Sequence, residues 1–167
     1  MSTLPCGRRR SLRQRREAGL RFFSLRRAGR SIANTWAIRG GERFLDEAML
    51  VFEFGAADAC LRDMYVEVGA RGAGVFAQFV RALESGPLAG IERIWSCVEA
   101  NNAASIAAHR RGGFATAGSV TAIALFDRLM LRRSRLPAGL NCRDFAASRR
   151  LLWMDARARA FRQAHLA

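Results

Sequence analysis

Lysine is absent from this 167-residue sequence; all 28 basic residues are arginine. Histidine occurs twice, tyrosine once and proline three times. The four cysteines, Cys6, Cys60, Cys97 and Cys142, lie far apart. No pair has CxxC or metal-ligand spacing, which argues against a disulfide framework and, with only two distant histidines, against a His/Cys metal site. No metal is expected. Long apolar runs are also missing. The longest, residues 120–126, falls well short of the roughly 18 residues of a membrane span. The basic amino terminus lacks the apolar core of a secretory signal, so the expected location is cytoplasmic, with no membrane partner.

What is present is a globular composition, half hydrophobic and a quarter charged. The net charge of +14 is unevenly spread. Residues 1–30 carry +9, residues 31–127 carry −3 and residues 128–167 carry +8. Arginine without lysine, alongside much alanine and glycine, fits the codon usage of a GC-rich genome. Compositional drift on solvated ends is therefore preferred over a nucleic-acid footprint, which stays as an alternative.

The pattern divides the chain into an Arg-rich arm at 1–19, a domain at 20–135 and an Arg-rich helical extension at 136–167. Residues 22–27 and 31–38 suit strands joined by a turn at 27–30. Gly40 and Gly41 mark a second turn, and residues 44–54 a third strand. A loop at 55–58 leads to a fourth strand at 60–68. Simple alternation places Leu61, Asp63, Tyr65 and Glu67 on one face of it, and Arg62, Met64, Val66 and Val68 on the other.

A glycine-rich turn, residues 69–74, precedes a helix with an apolar stripe of Val75, Phe76, Phe79, Val80 and Leu83. Residues 91–99 read as a strand, with Cys97 as a buried thiol. Asn101 and Asn102 cap a helix that Gly112 and Gly113 stop near Arg111. A last strand covers 116–126, and residues 143–164 form an amphipathic helix. Strands and helices in this order make an α/β fold with a mixed sheet.

Two segments carry chemistry. In Arg71-Gly72-Ala73-Gly74, between a strand and a helix, glycines let backbone amides approach an anion. The helix start adds unpaired N–H groups and the positive dipole end. The plainer alternative is a tight turn that binds nothing. The Walker pattern is absent, and no opening βαβ unit supports a Rossmann reading. In the second segment Asn102, Ser105 and His109 stand at i, i+3 and i+7, on one face of an Ala-rich helix. The plainer alternative there is a wet helix face.

In this order and spacing the two segments resemble the GNAT superfamily of acyl-CoA-dependent N-acyltransferases. Its acyl-CoA signature, Arg/Gln-x-x-Gly-x-Gly/Ala after a strand, is matched by Arg71, Gly72, Ala73, Gly74, Val75 and Phe76. Its later helix motif is matched by Asn102, Ser105, His109, Arg111, Gly113 and Phe114. The likeness covers residues 20–127. It implies a mixed, mostly antiparallel central sheet with helices on both faces. It implies acetyl-CoA or another acyl-CoA as co-substrate and an amine, on a small molecule or a protein, as acceptor.

By the same resemblance, the CoA pyrophosphate would lie on the amides of Gly72, Ala73, Gly74, Val75 and Phe76. The pantetheine would run along Tyr65, Val66 and Val68 and be lined by Asn102 and Ser105. An N–H near Tyr65 or Val66 would hold the oxyanion. His109 is the candidate acid for the leaving thiolate, at a position where many relatives carry tyrosine. Asp63, or second Glu47, is the candidate base. An inert helix residue and ion-paired carboxylates are the plainer alternatives.

Two departures stand out. Phe76 replaces the last small residue of the signature. Residues 1–21, which precede the first expected strand at Phe22, do not read as the family's opening strand and two helices. A homodimer that completes the fold stays open. So do two other classes: a nucleic-acid or ribosome-associated protein, and a degenerate fold that binds CoA without turnover.

Overall fold

The computed structural model describes residues 6–45, 48–125, 128–134 and 136–144. These residues divide into two compact units. One holds residues 21–40 and 56–116; the other holds the described parts of 1–20, 41–55 and 117–167. Strands β1 (Arg21–Arg27), β2 (Arg30–Leu45), β3 (Leu50–Val66) and β4 (Arg93–Ser96) form one sheet in that order, with β7 (Asn141–Asp144) beside β3. The class is mixed α/β with a mostly antiparallel sheet.

In the first unit, β1 and β2 form a hairpin closed by Ala28 and Gly29, both at positive φ. Two left-handed central residues match the twist of the flanking strands. The Arg26 guanidinium donates to the Gly29 carbonyl at 2.7 Å and clasps this turn. The helix α2 (Val75–Ser85) buries Val75, Phe79, Val80 and Leu83. Val75, Phe79 and Leu83 repeat at four-residue spacing and meet Ile32, Ala33 and Ala37 of β2 and Ala59 and Leu61 of β3 in one apolar core. Helix α3 (Ala103–Arg111) follows β4.

In the second unit, helix α1 (Cys6–Glu17) carries an exposed i, i+4 ion pair, Arg13 to Glu17 at 2.8 Å. Phe44, Leu50 and Val51 are fully buried. Strands β5 (Val120–Leu125) and β6 (Arg128–Arg133) pair as a separate antiparallel hairpin. Strand β7 pairs with the start of β3, Leu50 opposite Asp144. Arg143 fastens it, donating to Glu53 at 2.7 Å and to Glu42 at 2.9 Å.

Several sequence expectations need correction. Gly40 and Gly41 do not turn the chain; both take positive φ inside β2, which runs on to Leu45. Residues 55–58 are not a loop. They lie within one continuous β3, and β4 pairs with it in parallel from Asp58 on. The strand expected over 91–99 is paired only at Arg93–Ser96. Cys97 lies beyond its end and is exposed rather than buried. The expected final strand is one arm of the β5–β6 hairpin. Residues 143 and 144, expected to begin a helix, belong to β7; the remainder of that expected helix lies outside the described residues.

Candidate functional site

Along β3 the expected alternation fails at Asp63, whose φ is +51°. Leu61 is buried in the core, and so, further on, Met64 and Val66 pack against that same core. One left-handed residue therefore shifts the side-chain phase of the strand, as a bulge does. Asp63 does not share a face with Leu61. At this irregularity the buried Thr35 hydroxyl of β2 lies 2.9 Å from the Arg62 carbonyl and supplies a hydrogen bond.

The phase shift coincides with a fork. Strands β3 and β4 pair in parallel from Asp58 and Arg93 to Leu61 and Ser96. There β4 ends while β3 continues to Val66. The carboxyl ends of parallel strands are where open α/β sheets place ligands. Asp58 anchors the other end of this short ladder. Its side chain is fully buried and paired with Arg93, Nε to Oδ1 at 2.7 Å and Nη2 to Oδ2 at 3.3 Å.

After β3 the chain makes a short 3-10 turn, Val68–Ala70, and then the glycine turn. Gly72 has φ +81° and Gly74 φ +71°. Only glycine adopts this backbone freely, which is the physical reason for both residues. Gly74 is the N-cap of α2 and offers no side chain to its amides. The first helical hydrogen bond runs from the Gln78 N–H to the Gly74 carbonyl at 3.0 Å. The amides of Val75, Phe76 and Ala77 thus have no acceptor within the helix. A Cβ built on Gly72 or Gly74 meets no atom within 4 Å, so the outer side of the turn is open.

Arg71 folds back over the end of β3. Its Nε donates to the Val66 carbonyl at 3.1 Å, and its guanidinium sits 5.9 Å from the Tyr65 ring centre. Tyr65, Val68 and Ala73 are exposed, and Val66 is half-buried.

On α3, Asn102 is the N-cap: its Oδ1 accepts from the Ser105 N–H at 3.0 Å. His109 is only 9% exposed. Its ring centre lies 4.5 Å from that of Phe76 and 5.1 Å from that of Phe114. Nδ1 is 2.8 Å from the Ser105 carbonyl, an acceptor only, so Nδ1 carries the proton. The Ser105 hydroxyl stands 3.4 Å from the same nitrogen. Nε2 is 3.0 Å from the Ser96 hydroxyl of β4. Phe76 therefore turns its ring onto α3, and its amide stays at the α2 start.

The structure brings the glycine turn to the end of β3, and His109 to Ser96 at the fork. Asp63 is exposed beside the fork, and Glu47 lies outside the described residues. Ser96 carried no signal in the sequence; its partner is thirteen residues away and on another element. Among the described residues no group of His, Cys, Asp and Glu is arranged to hold a metal ion. Among the same residues no helix is long and apolar enough to cross a membrane.

Gly112 shows how tightly this corner is packed. A Cβ there would stand 2.8 Å from Cε1 of Phe76. Gly112→Ala is expected to destabilise the protein by about 1–3 kcal/mol, read by urea unfolding, because the ring or the end of α3 must move. A midpoint equal to that of the wild type would show that Phe76 is not confined.

Comparison with known proteins agrees with this architecture. No family model matches the sequence, and no curated protein matches it. Among solved structures, the aminoglycoside antibiotic 6'-N-acetyltransferase AAC(6')-IG from Acinetobacter haemolyticus superposes with a TM-score of 0.52 at 19% identity, over 75% of this chain and 83% of that one. A transcriptional regulator from Bacillus halodurans gives a TM-score of 0.52 at 13% identity, over 73% and 77%. AAC(6')-Iy, in complex with the bisubstrate analogue CoA-S-monomethyl-acetylneamine, gives 0.46 at 20% identity; this chain spans 63% of its length. The likeness to AAC(6')-IG is one of fold.

Proposed function

We propose that this protein is a cytoplasmic acyl-CoA-dependent N-acyltransferase. It moves an acyl group, acetyl in the first instance, from a CoA thioester to an amine. The observation that carries this reading is the open glycine turn on an uncapped helix start, which follows β3 and its 3-10 turn. Free amides, a dipole end and the Arg71 guanidinium together suit a pyrophosphate. Gly72, Ala73, Gly74, Val75 and Phe76 supply its backbone donors. Tyr65 and Val66 at the end of β3, with Val68 in the turn beyond it, would offer the edge along which pantetheine extends, and Asn102 and Ser105 are its proposed lining. The fold likeness supports the same class.

The chemistry is direct attack of a neutral amine on the thioester carbonyl. Asp63 is the proposed base and Glu47 the second choice. The oxyanion falls to an N–H of Tyr65 or Val66. His109 is the proposed source of the proton for the thiolate. Residues 20–135 are proposed to carry the reaction, and Asn141–Asp144 of the segment beyond them add β7 to the same sheet. The acceptor is an amine on a small molecule or a protein.

Isothermal titration with acetyl-CoA, followed by thiol release in the presence of a panel of amines, tests the reading. Saturable binding and amine-dependent release are expected. No binding by the folded protein would overturn the reading. Binding without release for any amine would favour a CoA-binding protein without turnover, a second reading that the burial of His109 supports.

A further inference from the structure

The ring of His109 is closed off on three sides. Phe76 and Phe114 lie against it, and Nδ1 is spent on the carbonyl of its own helix. Its contacts on α2, α3 and the segment after α3 are aromatic or neutral. One atom remains for chemistry, Nε2, and it is occupied by the Ser96 hydroxyl at 3.0 Å. At 9% exposure the imidazole offers little surface to a ligand sulfur, and the Ser96 hydroxyl stands on its remaining nitrogen. Ser96, however, forms the last pair of the β3–β4 ladder, opposite Leu61, where the strands part. Its side chain is half-buried, not sealed.

We propose that Ser96 is a catalytic residue of the acyl transfer, the hydroxyl through which His109 takes and returns a proton. The proposal rests on the acyltransferase reading and adds to it a residue and a proton route. With the hydrogen of the imidazole on Nδ1, Nε2 is the atom that can accept from Ser96 Oγ–H. The arrangement has the logic of a hydroxyl, a base and a third group that orients the base.

Asp63, the proposed base, takes the first proton from the acceptor ammonium and releases it to solvent. The neutral amine nitrogen bonds to the thioester carbon. Ser96 Oγ receives one proton from that nitrogen as it passes its own to Nε2. The C–S bond breaks, and its electron pair leaves on sulfur. Ser96 then gives its hydrogen to the sulfur and regains one from Nε2. The thiol and the amide remain, with one proton in solvent and His109 as it began. In this route Ser96 touches the reacting atoms, and His109 acts through it as a positioning residue and proton store.

The same route predicts an equilibrium property that needs no acceptor. When free CoA is bound, its thiol can pass a proton through Ser96 to His109, leaving thiolate and imidazolium. The ultraviolet absorbance of the thiolate at neutral pH reports this. The wild type with CoA bound is expected to show at least about tenfold more thiolate than free CoA. Ser96→Ala and His109→Ala should each abolish the excess, and Ser96→Thr, which keeps the hydroxyl, should restore it.

Calorimetry first establishes that wild type and variants bind CoA, and thermal melting that they are folded. With an active acceptor, Ser96→Ala should lower kcat about a hundredfold and leave the KM for acetyl-CoA unchanged. Equal thiolate in wild type and Ser96→Ala, both with CoA bound, would overturn the relay and leave the acyltransferase reading standing. Failure of the wild type to bind CoA overturns that reading, and the relay with it. The two failures are therefore distinguishable.

Discussion

Gly74→Glu is expected to weaken acetyl-CoA binding by at least about a hundredfold, measured by calorimetric titration against the wild type. The added carboxylate would stand over the amides of Val75 and Phe76, where the pyrophosphate is proposed to lie. Two like charges about 4 Å apart repel by about 4 kcal/mol at the effective dielectric of a protein surface, and each 1.4 kcal/mol is a factor of ten in affinity. The fold should survive. A Cβ at position 74 meets nothing within 4 Å, so the steric cost is confined to the left-handed φ of +71°. That conformation costs a non-glycine residue about 1–2 kcal/mol, and a carboxylate at a helix amino terminus returns part of it.

Gly74→Ala separates the causes. It carries the same backbone strain without the charge, and should retain most of the affinity. Binding by Gly74→Glu equal to that by Gly74→Ala would move the pyrophosphate away from this turn.

The second large effect concerns stability. Arg93→Ala is expected to destabilise the protein by about 3 kcal/mol, measured by denaturant unfolding. Asp58 is fully buried, whereas the Arg93 side chain is 42% exposed. Removing the arginine therefore takes the bidentate partner from a carboxylate that has no access to water. Arg93→Lys should recover only part of the loss, since an ammonium cannot reproduce the two-point geometry. In the double variant Asp58→Ala/Arg93→Ala the loss should be smaller than the sum of the single losses, because no buried carboxylate is left behind. Additive losses would mean that the pair is not coupled. A change in CoA binding beyond the change in stability would show that the start of the β3–β4 ladder also sets the geometry of the fork at its far end.

Both predictions depend on features of different legibility. The glycine turn was readable because its causes are local. Gly72 and Gly74 are needed for positive φ, and the Val75, Phe79 and Leu83 spacing declares the helix that follows. The Asp58–Arg93 pair was not readable. Residues 55–58 look like a loop, for they hold a glycine, two alanines and an aspartate with no apolar bulk. They lie inside β3, and their last residue, Asp58, opens the ladder with β4, opposite Arg93 35 residues further along the chain. The same holds for Gly40 and Gly41. A glycine pair ordinarily turns the chain, but here both glycines lie inside β2 at positive φ.

The sequence by itself determined the hairpin at Ala28 and Gly29, the open turn before α2, the apolar stripe of that helix and the Asn102 cap. Each follows from backbone preference or side-chain periodicity within a few residues. Only the tertiary structure decided the phase of β3, the burial of His109 and its pairing with Ser96. Alternation assumes an unbroken strand, and one left-handed residue, Asp63, reverses it. His109 reads as a polar residue on a helix until Phe76 and Phe114 are packed on its ring. Ser96 is one more small polar residue until the end of β4 places it against Nε2. Burial and long-range hydrogen bonds are properties of which elements become neighbours, and no local pattern in this chain encodes that choice.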